Sequence, residues 1–220
     1  MPTLGFRHAR RVCVVRDWVG HMRSDRKTAL ISRDTDLSSL DEEQALALLT
    51  GALRIDPRAG ILKVLDTRFA LLRPIVLVNI QRQLEQTVGA STKGFMYLAG
   101  ERTAETGVDV AGSLVQDFEK DPLTLDSIGW LTNALALLGY GRFEVLRFDP
   151  VEKRIAIALS NSPFAEAYGS APKPVCHLIA GFLAGLGRRL LAQELLCEEI
   201  ACKSQGKARC EFELRPMLSL

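Results

Sequence analysis

Four side chains in the C-terminal part of the sequence could together bind a metal ion: Cys176, Glu199, Cys202 and Cys210. Zinc is satisfied by four ligands in a tetrahedron, and it accepts both thiolates and carboxylates. The pattern is less specific than a pair of C-x-x-C motifs. Spacing alone therefore leaves open the alternative that these cysteines are small residues of the hydrophobic core.

A hairpin is the element that could bring two of these side chains together. From Cys210 onward, apolar and charged residues alternate, which predicts a strand with the cysteine on its core side. A polar turn centred on Gly206 separates this strand from Cys202. Glu199 and Cys202 would face opposite sides of a regular strand, so the backbone between them must bulge or turn. Cys176 lies near the start of an apolar helix, where the helix dipole favours a thiolate.

The rest of the sequence mixes helices and hairpins without regular alternation of strand and helix. Hairpins are predicted around the turns at 56–60 and 149–153, which lie between short apolar strands. The stretch with Pro163, Gly169 and Pro172 is predicted to be a loop. Helices are predicted at 39–49, 74–87, 93–105, 110–119, 124–138 and 174–189. The predicted fold class is α+β, an antiparallel sheet of hairpins packed with several helices.

Longer stretches of the C-terminal part resemble a known family. Residues 174–185, 199–202 and 210–212, together with Gly206, resemble the vinyl-4-reductase domain family, and the similarity reaches back to about Pro74. The segment 60–72 is similar to the strand preceding this domain in the sensor regions of phenol- and xylene-responsive transcription activators. This divides the chain into three parts: a basic N-terminal extension (1–35), a helix and hairpin (36–73) and a vinyl-4-reductase-like domain (74–216).

The resemblance implies a fold, a cofactor and a class of ligand. The family shares its fold with subunits of the TRAPP vesicle-tethering complex and binds small hydrophobic molecules. In the activators three cysteines and a glutamate hold zinc, which implies that role here for Cys176, Glu199, Cys202 and Cys210. Four protein ligands leave no open position, so the zinc would be structural. Cys197 and His177 are the competing ligands.

An apolar pocket beside the metal hairpin is the second implication of the resemblance. Each candidate for its lining could equally be plain core, although Trp130 and Tyr168 add a polar group to a large apolar body. The phenol sensors share a histidine and tryptophan pair that binds the phenol hydroxyl, whereas this sequence has no histidine in 105–160. A more apolar ligand is therefore expected, such as a hydrocarbon, a fatty acyl chain or a tetrapyrrole edge. The candidate lining residues are Trp130, Phe143, Leu146, Ile155, Ile157, Phe164, Tyr168 and Phe182.

Signatures of catalysis are largely missing from the sequence. It contains no G-x-S-x-G motif, no P-loop and no glycine fingerprint of a dinucleotide site. Residues 168–170 faintly resemble a haem-pocket motif of related nitric-oxide sensors. Pro172 replaces the arginine that this motif requires, so haem is not expected. No catalytic residue is predicted, and the sequence leaves enzymatic activity open.

Three functions are consistent with these features. The first is a regulatory or sensor module that binds a small hydrophobic molecule. The second is a role in bacteriochlorophyll synthesis, as a vinyl reductase or as an accessory carrier, and the third is a structural interaction subunit. All three predict a homodimer. Gly181 and Gly185 lie four residues apart on one helix face, so they could form the dimer contact or a close contact within the monomer.

Charge and hydropathy indicate a cytoplasmic protein. The net charge is +2, but residues 1–33 carry eight basic and two acidic side chains. This basic arm could contact nucleic acid or could be a solvated leader. No apolar run approaches the ~20 residues of a membrane span, and no secretory signal is recognisable. In the reducing cytoplasm, the five cysteines favour metal binding or core packing over disulfides.

Overall fold

The computed structural model describes residues 39–64, 67–114 and 125–217. The predicted basic extension at 1–35, with Cys13, lies outside these residues, as does the end of the helix predicted at 110–119. The described elements, in chain order, are α1 (Glu42–Ala52), β1 (Leu53–Asp56), β2 (Ile61–Val64), β3 (Thr67–Phe69), α2 (Pro74–Val88), α3 (Thr92–Leu114), α4 (Leu125–Leu137), β4 (Arg142–Asp149), β5 (Arg154–Ser160), α5 (Pro163–Tyr168), α6 (His177–Leu191), β6 (Leu195–Ala201) and β7 (Cys210–Pro216).

The N-terminal elements form a small antiparallel sheet preceded by a helix. A capping box starts α1, because the Asp41 carboxylate accepts a hydrogen bond from the Gln44 N–H and the Gln44 side chain accepts one from the Asp41 N–H. The predicted hairpin is confirmed as β1 and β2, joined by a turn in which Asp56 accepts two backbone N–H groups. The sequence did not predict β3, which adds a third strand alongside β2.

The C-terminal sheet has four antiparallel strands in the order β4-β5-β7-β6. Both predicted hairpins, β4–β5 and β6–β7, are present, and β5 pairs with β7 to join them. Alternate residues of β5 and β7 are buried on one face, including Ile157, Leu159 and Phe212. This alternation is the sequence pattern expected of a sheet that is covered on one side.

Helix α6 packs backbone to backbone against α3, between positions that lack side chains. A Cβ atom on Gly181 would overlap the Tyr97 carbonyl, and one on Gly185 would lie 2.8 Å from the Glu101 carbonyl oxygen. On α3, a Cβ atom on Gly100 would overlap the Leu178 carbonyl. The glycine pair of α6 therefore serves packing within the monomer, and the alternative of a dimer contact on this face is wrong.

Two predictions about helices need correction. The structure has one helix, α3, where the sequence indicated separate helices at 93–105 and 110–119. Gly107 between them costs only about 1 kcal/mol in a helix interior, which the rest of a long helix can absorb. The stretch predicted as a loop contains α5, which begins after the N-cap Ser162 with Pro163 in its first turn and ends at Gly169.

The predicted α+β class is confirmed by this mixture of helices and antiparallel sheets. None of the helices in the described part of the chain is long and apolar enough to cross a membrane.

Candidate metal centre

Three elements converge to bring the four predicted metal ligands together. Cys176 is the N-cap residue of α6, Glu199 lies in β6, Cys202 follows β6, and Cys210 begins β7. Their ligand atoms all lie within 4.8 Å of one another, and all four residues are buried. The pairing of β6 with β7 shifts register between Glu199 and Ala201. This shift confirms the predicted bulge, which allows Glu199 and Cys202 to face the same point.

The distances in this cluster fit a tetrahedral metal ion. The sulfur of Cys210 lies 3.8 Å from that of Cys176 and 3.9 Å from that of Cys202. Two sulfurs bound tetrahedrally at about 2.3 Å from one zinc ion are about 3.8 Å apart. One carboxylate oxygen of Glu199, Oε1, is buried and has no hydrogen-bond partner among the described residues. The cluster thus has the donor types, the spacing and a free acceptor that a metal ion would use.

Hydrogen bonds from the surrounding backbone orient the ligands. The backbone N–H of Cys176 donates to Glu199 Oε2 at 2.8 Å, and that of Lys203 donates to the Cys210 sulfur at 3.4 Å. The Ser162 hydroxyl lies within hydrogen-bond distance of the Cys176 sulfur, at 3.4 Å. Such outer contacts hold ligand side chains in place and stabilise negative charge on them.

The protein groups alone hold only one negative charge at this site near neutral pH. Hydrogen bonds from the Cys176 and Cys210 thiols lower the pKa of Cys202 strongly. The hydrogen bond to Cys202 raises the pKa of Cys176 far above its ordinary value, and burial raises the pKa of Glu199 to about 8. Four ionised ligands so close together need a cation, since each buried charge must be compensated.

The two competing ligands lie outside the cluster. The thiol of Cys197 is buried in the core next to Tyr97, whose hydroxyl accepts a hydrogen bond from the Cys197 backbone N–H at 2.9 Å. Burial and the nearby charge of Lys93 lower the pKa of His177, which points to a neutral imidazole. Among the described residues, the only group of side chains placed to hold a metal ion is the predicted one.

A groove of about 450 Å³ adjoins the metal centre. It lies between the first turns of α3 and α6 and the segment 171–175, and Glu199 also borders it. Tyr168 closes one side, where its hydroxyl donates to Glu85 at 2.7 Å and Arg82 lies over its ring at 4.8 Å. These contacts fix α5 to α2 and give the groove a firm wall.

The predicted pocket residues do not assemble around this groove. Phe143, Ile155, Ile157 and Phe164 belong to the buried core, Phe182 is half-buried against it, and Leu146 is exposed on β4. Trp130 lies in α4, but its side chain is outside the described part. Among the predicted residues whose side chains are described, only Tyr168 borders the groove.

Sequence reasoning missed other residues of the groove wall, including Thr92, Lys93, Tyr97 and Ala180. They come from two helices that are separated by a long stretch of chain. The close approach of α3 to α6 brings them together, and the glycines at 100, 181 and 185 were the signal that could have revealed it.

Comparison with known sequences places the metal cluster within a described domain. Residues 155–216 match the model of the vinyl-4-reductase domain, and this segment contains all four clustered ligands. Two uncharacterized proteins of Methanocaldococcus jannaschii are similar to the chain. One is 33% identical over 75 residues, covering 34% of this chain and 44% of its own length. The other is 32% identical over 81 residues, covering 33% and 50%. The matched regions thus span about half the length of these relatives or less.

Solved structures show a similar arrangement. The phenol-responsive sensory domain of the transcription activator PoxR, solved with phenol, has a TM-score of 0.65 at 19% identity, covering 81% of this chain and 91% of that domain. This similarity establishes a shared fold. A vinyl-4-reductase family protein from Methanocaldococcus jannaschii has a TM-score of 0.46 at 22% identity, covering 68% and 84% of the two chains. A trafficking protein particle complex subunit 3 from Naegleria fowleri, covalently bound to palmitic acid, has 0.48 at 14%, covering 67% and 96%. The resemblance predicted from the sequence is confirmed.

Proposed function

We propose that this chain is a zinc-containing domain that binds a small hydrophobic molecule and acts as a sensor or regulatory module. The observation that carries the proposal is the buried cluster of three cysteines and one glutamate beside a groove. The fold shared with the PoxR sensory domain, a protein solved with phenol, supports the sensing role.

Zinc would have a structural role at this site. Cys176, Glu199, Cys202 and Cys210 would fill all four tetrahedral positions, leaving none for a substrate or a reactive water. When bound, the ion would supply a cross-link between α6 and the β6–β7 hairpin. The chain's own contribution is to exclude water, to direct the backbone N–H groups of Cys176 and Lys203 at the ligands, and to place the bulge in β6.

The groove supports the proposal of a small ligand. Its volume of about 450 Å³ is within the range of small-molecule sites, about 300–1,000 Å³. Tyr97, Val175 and Ala180 provide apolar surface in its wall. Because Val175 precedes the ligand Cys176 and Glu199 borders the groove, a molecule bound there would contact the same segments that hold the metal.

The setting of the protein is part of the same proposal. The three thiols of the cluster must stay reduced to bind a metal ion, which suits the cytoplasm. We also propose a homodimer, and light scattering on the purified protein tests it. A mass equal to that of one chain would remove the dimer from the proposal.

Native mass spectrometry of the freshly purified, reduced protein tests both parts of the proposed function. The expected result is one zinc ion per chain, with an additional mass from a copurifying molecule that can be identified after denaturation. Folded protein without metal would contradict the zinc site. Zinc without a bound molecule, and without binding of apolar probes in titration, would contradict the sensor role and favour a structural interaction subunit.

A further inference from the structure

The polar groups in the wall of the groove point to the chemistry of its ligand. Two lysines, Lys93 and Lys173, border the groove, and neither forms an ion pair with a carboxylate among the described residues. Lys93 lies in the first turn of α3, where the N-terminal end of the helix adds positive potential. Two cationic groups without a local counter-charge attract an anion to this rim.

The acidic residues of the same wall are already engaged. Glu85 accepts hydrogen bonds from Tyr168 and Gln81, and Glu198 lies 3.8 Å from the guanidinium of Arg215. Glu199 belongs to the metal cluster. The uncompensated charge that faces the groove is therefore positive, although glutamates as well as lysines border it.

A buried hydroxyl gives an independent sign of a missing polar partner. Thr92 borders the groove, is only 2% exposed, and its Oγ1 forms no hydrogen bond with the described residues. A buried hydroxyl without a partner costs free energy, and native structures usually satisfy it with water or a ligand. It lies directly before Lys93, so the orphan hydroxyl and a cation share one end of the groove.

We infer that the groove binds an amphipathic carboxylate, with its anionic group at the rim formed by Lys93 and Lys173 and its apolar body against Tyr97, Val175 and Ala180. The inference rests on the proposed function and narrows its ligand class. A carboxylate fits better than a phosphate, because the neighbouring glutamates would repel a doubly charged group. A lysine ammonium binds either oxygen of a carboxylate without a fixed geometry, which suits two flexible side chains.

Calorimetric titration with decanoate and 1-decanol, two probes of equal chain length, tests this inference on the zinc-containing protein. We expect decanoate to bind about tenfold more tightly than the alcohol, the effect of one or two charge-assisted hydrogen bonds. The double substitution Lys93→Gln and Lys173→Gln should remove that preference and leave the affinity for 1-decanol unchanged. The matched control, Lys63→Gln with Lys153→Gln, removes the same charge away from the groove and should keep it.

The outcomes separate this inference from the proposed function. Equal binding of both probes, or a preference for decanoate that survives in the groove variant, would overturn the anionic head group while leaving a hydrophobic ligand in place. Failure of both probes to bind would contradict the apolar-ligand function itself. Zinc content and thermal stability verify that each variant is folded, and both replaced groove lysines are exposed, so neither value should change.

Discussion

The N-terminal and C-terminal sheets are both antiparallel, yet they bury very different fractions of their residues. In the four-stranded sheet, Leu159, Cys210 and Phe212 are completely buried. In the three-stranded sheet, Val64 is the one buried residue among those described, and Ile55 is 66% exposed. The difference lies in the cover: α6 packs on the C-terminal sheet. A buried metal site can form only where such a cover excludes water.

The largest expected effect is the loss of a metal ligand from the covered sheet. Cys210→Ala should abolish zinc binding and destabilise the protein by more than about 5 kcal/mol, because metal binding energy is folding energy in sites of this kind. For a chain of this size that loss lowers the melting temperature by about 10 °C or more. Metal analysis and calorimetry of the purified variant measure both effects.

Cys197→Ala is the matched control, because Cys197 is also buried but lies outside the cluster. It should keep one zinc per chain and cost roughly 1 kcal/mol of core packing. Retention of zinc and of the melting temperature by Cys210→Ala would show that the covered sheet needs no metal.

The second effect is a steep pH dependence of metal affinity. Near neutral pH the protein groups hold one negative charge, whereas the bound ligands would hold four, so zinc binding should release about three protons. The affinity should then fall about a thousandfold for each unit of pH lowered, since protons compete with the metal. Titration in buffers with different ionisation enthalpies counts the protons, and release of one or none would contradict thiolate ligation.

A pair of isoleucines tests the two sheets directly. Ile157→Ala in the covered sheet should cost about 2–5 kcal/mol, because the residue is 4% exposed and a cavity would remain. The same change at Ile55 in the open sheet should cost less than about 0.5 kcal/mol. Urea denaturation compares the two variants. A large loss at Ile55 would break the comparison, and it would indicate that another molecule covers the open sheet.

The smallest effect concerns the contact between α3 and α6. Gly181→Ala should cost about 1–3 kcal/mol, because the added methyl group overlaps the Tyr97 carbonyl and forces the helices apart. Gly94→Ala on α3 meets nothing within 4 Å and should stabilise the protein by up to about 1 kcal/mol. Thermal denaturation distinguishes these opposite signs, and equal effects would contradict the close packing.

The parts of the structure that could be predicted from the sequence depend on local patterns. The alternation that begins at Cys210 predicts β7, and the spacing of Glu199 and Cys202 requires the irregularity that β6 contains. The turn at Gly206, with a φ of 81°, lies where the polar segment places it. These features follow from neighbours in the chain, so a single sequence is enough to find them.

The remaining features depend on contacts between distant segments. The groove forms where the first turns of α3 and α6 approach, and nothing in either helix specifies the other as its partner. The pocket residues were predicted from their size, which fits a core position equally well, and the core is where Ile155 and Ile157 lie. The short helix α5 had a local signal in Ser162 and Pro163, but the neighbouring prolines and glycine outweighed it in the prediction.

The pairing of β5 with β7 also has a consequence for how the protein folds. Leu159 pairs with Cys210 across a long intervening stretch of chain, so this ladder forms only after a long loop has closed. The hairpin of β6 and β7 can bring Glu199, Cys202 and Cys210 together early, because those residues are close in sequence. We therefore expect a nascent chain to capture zinc first on these three residues, and Cys176 to complete the coordination when α6 docks.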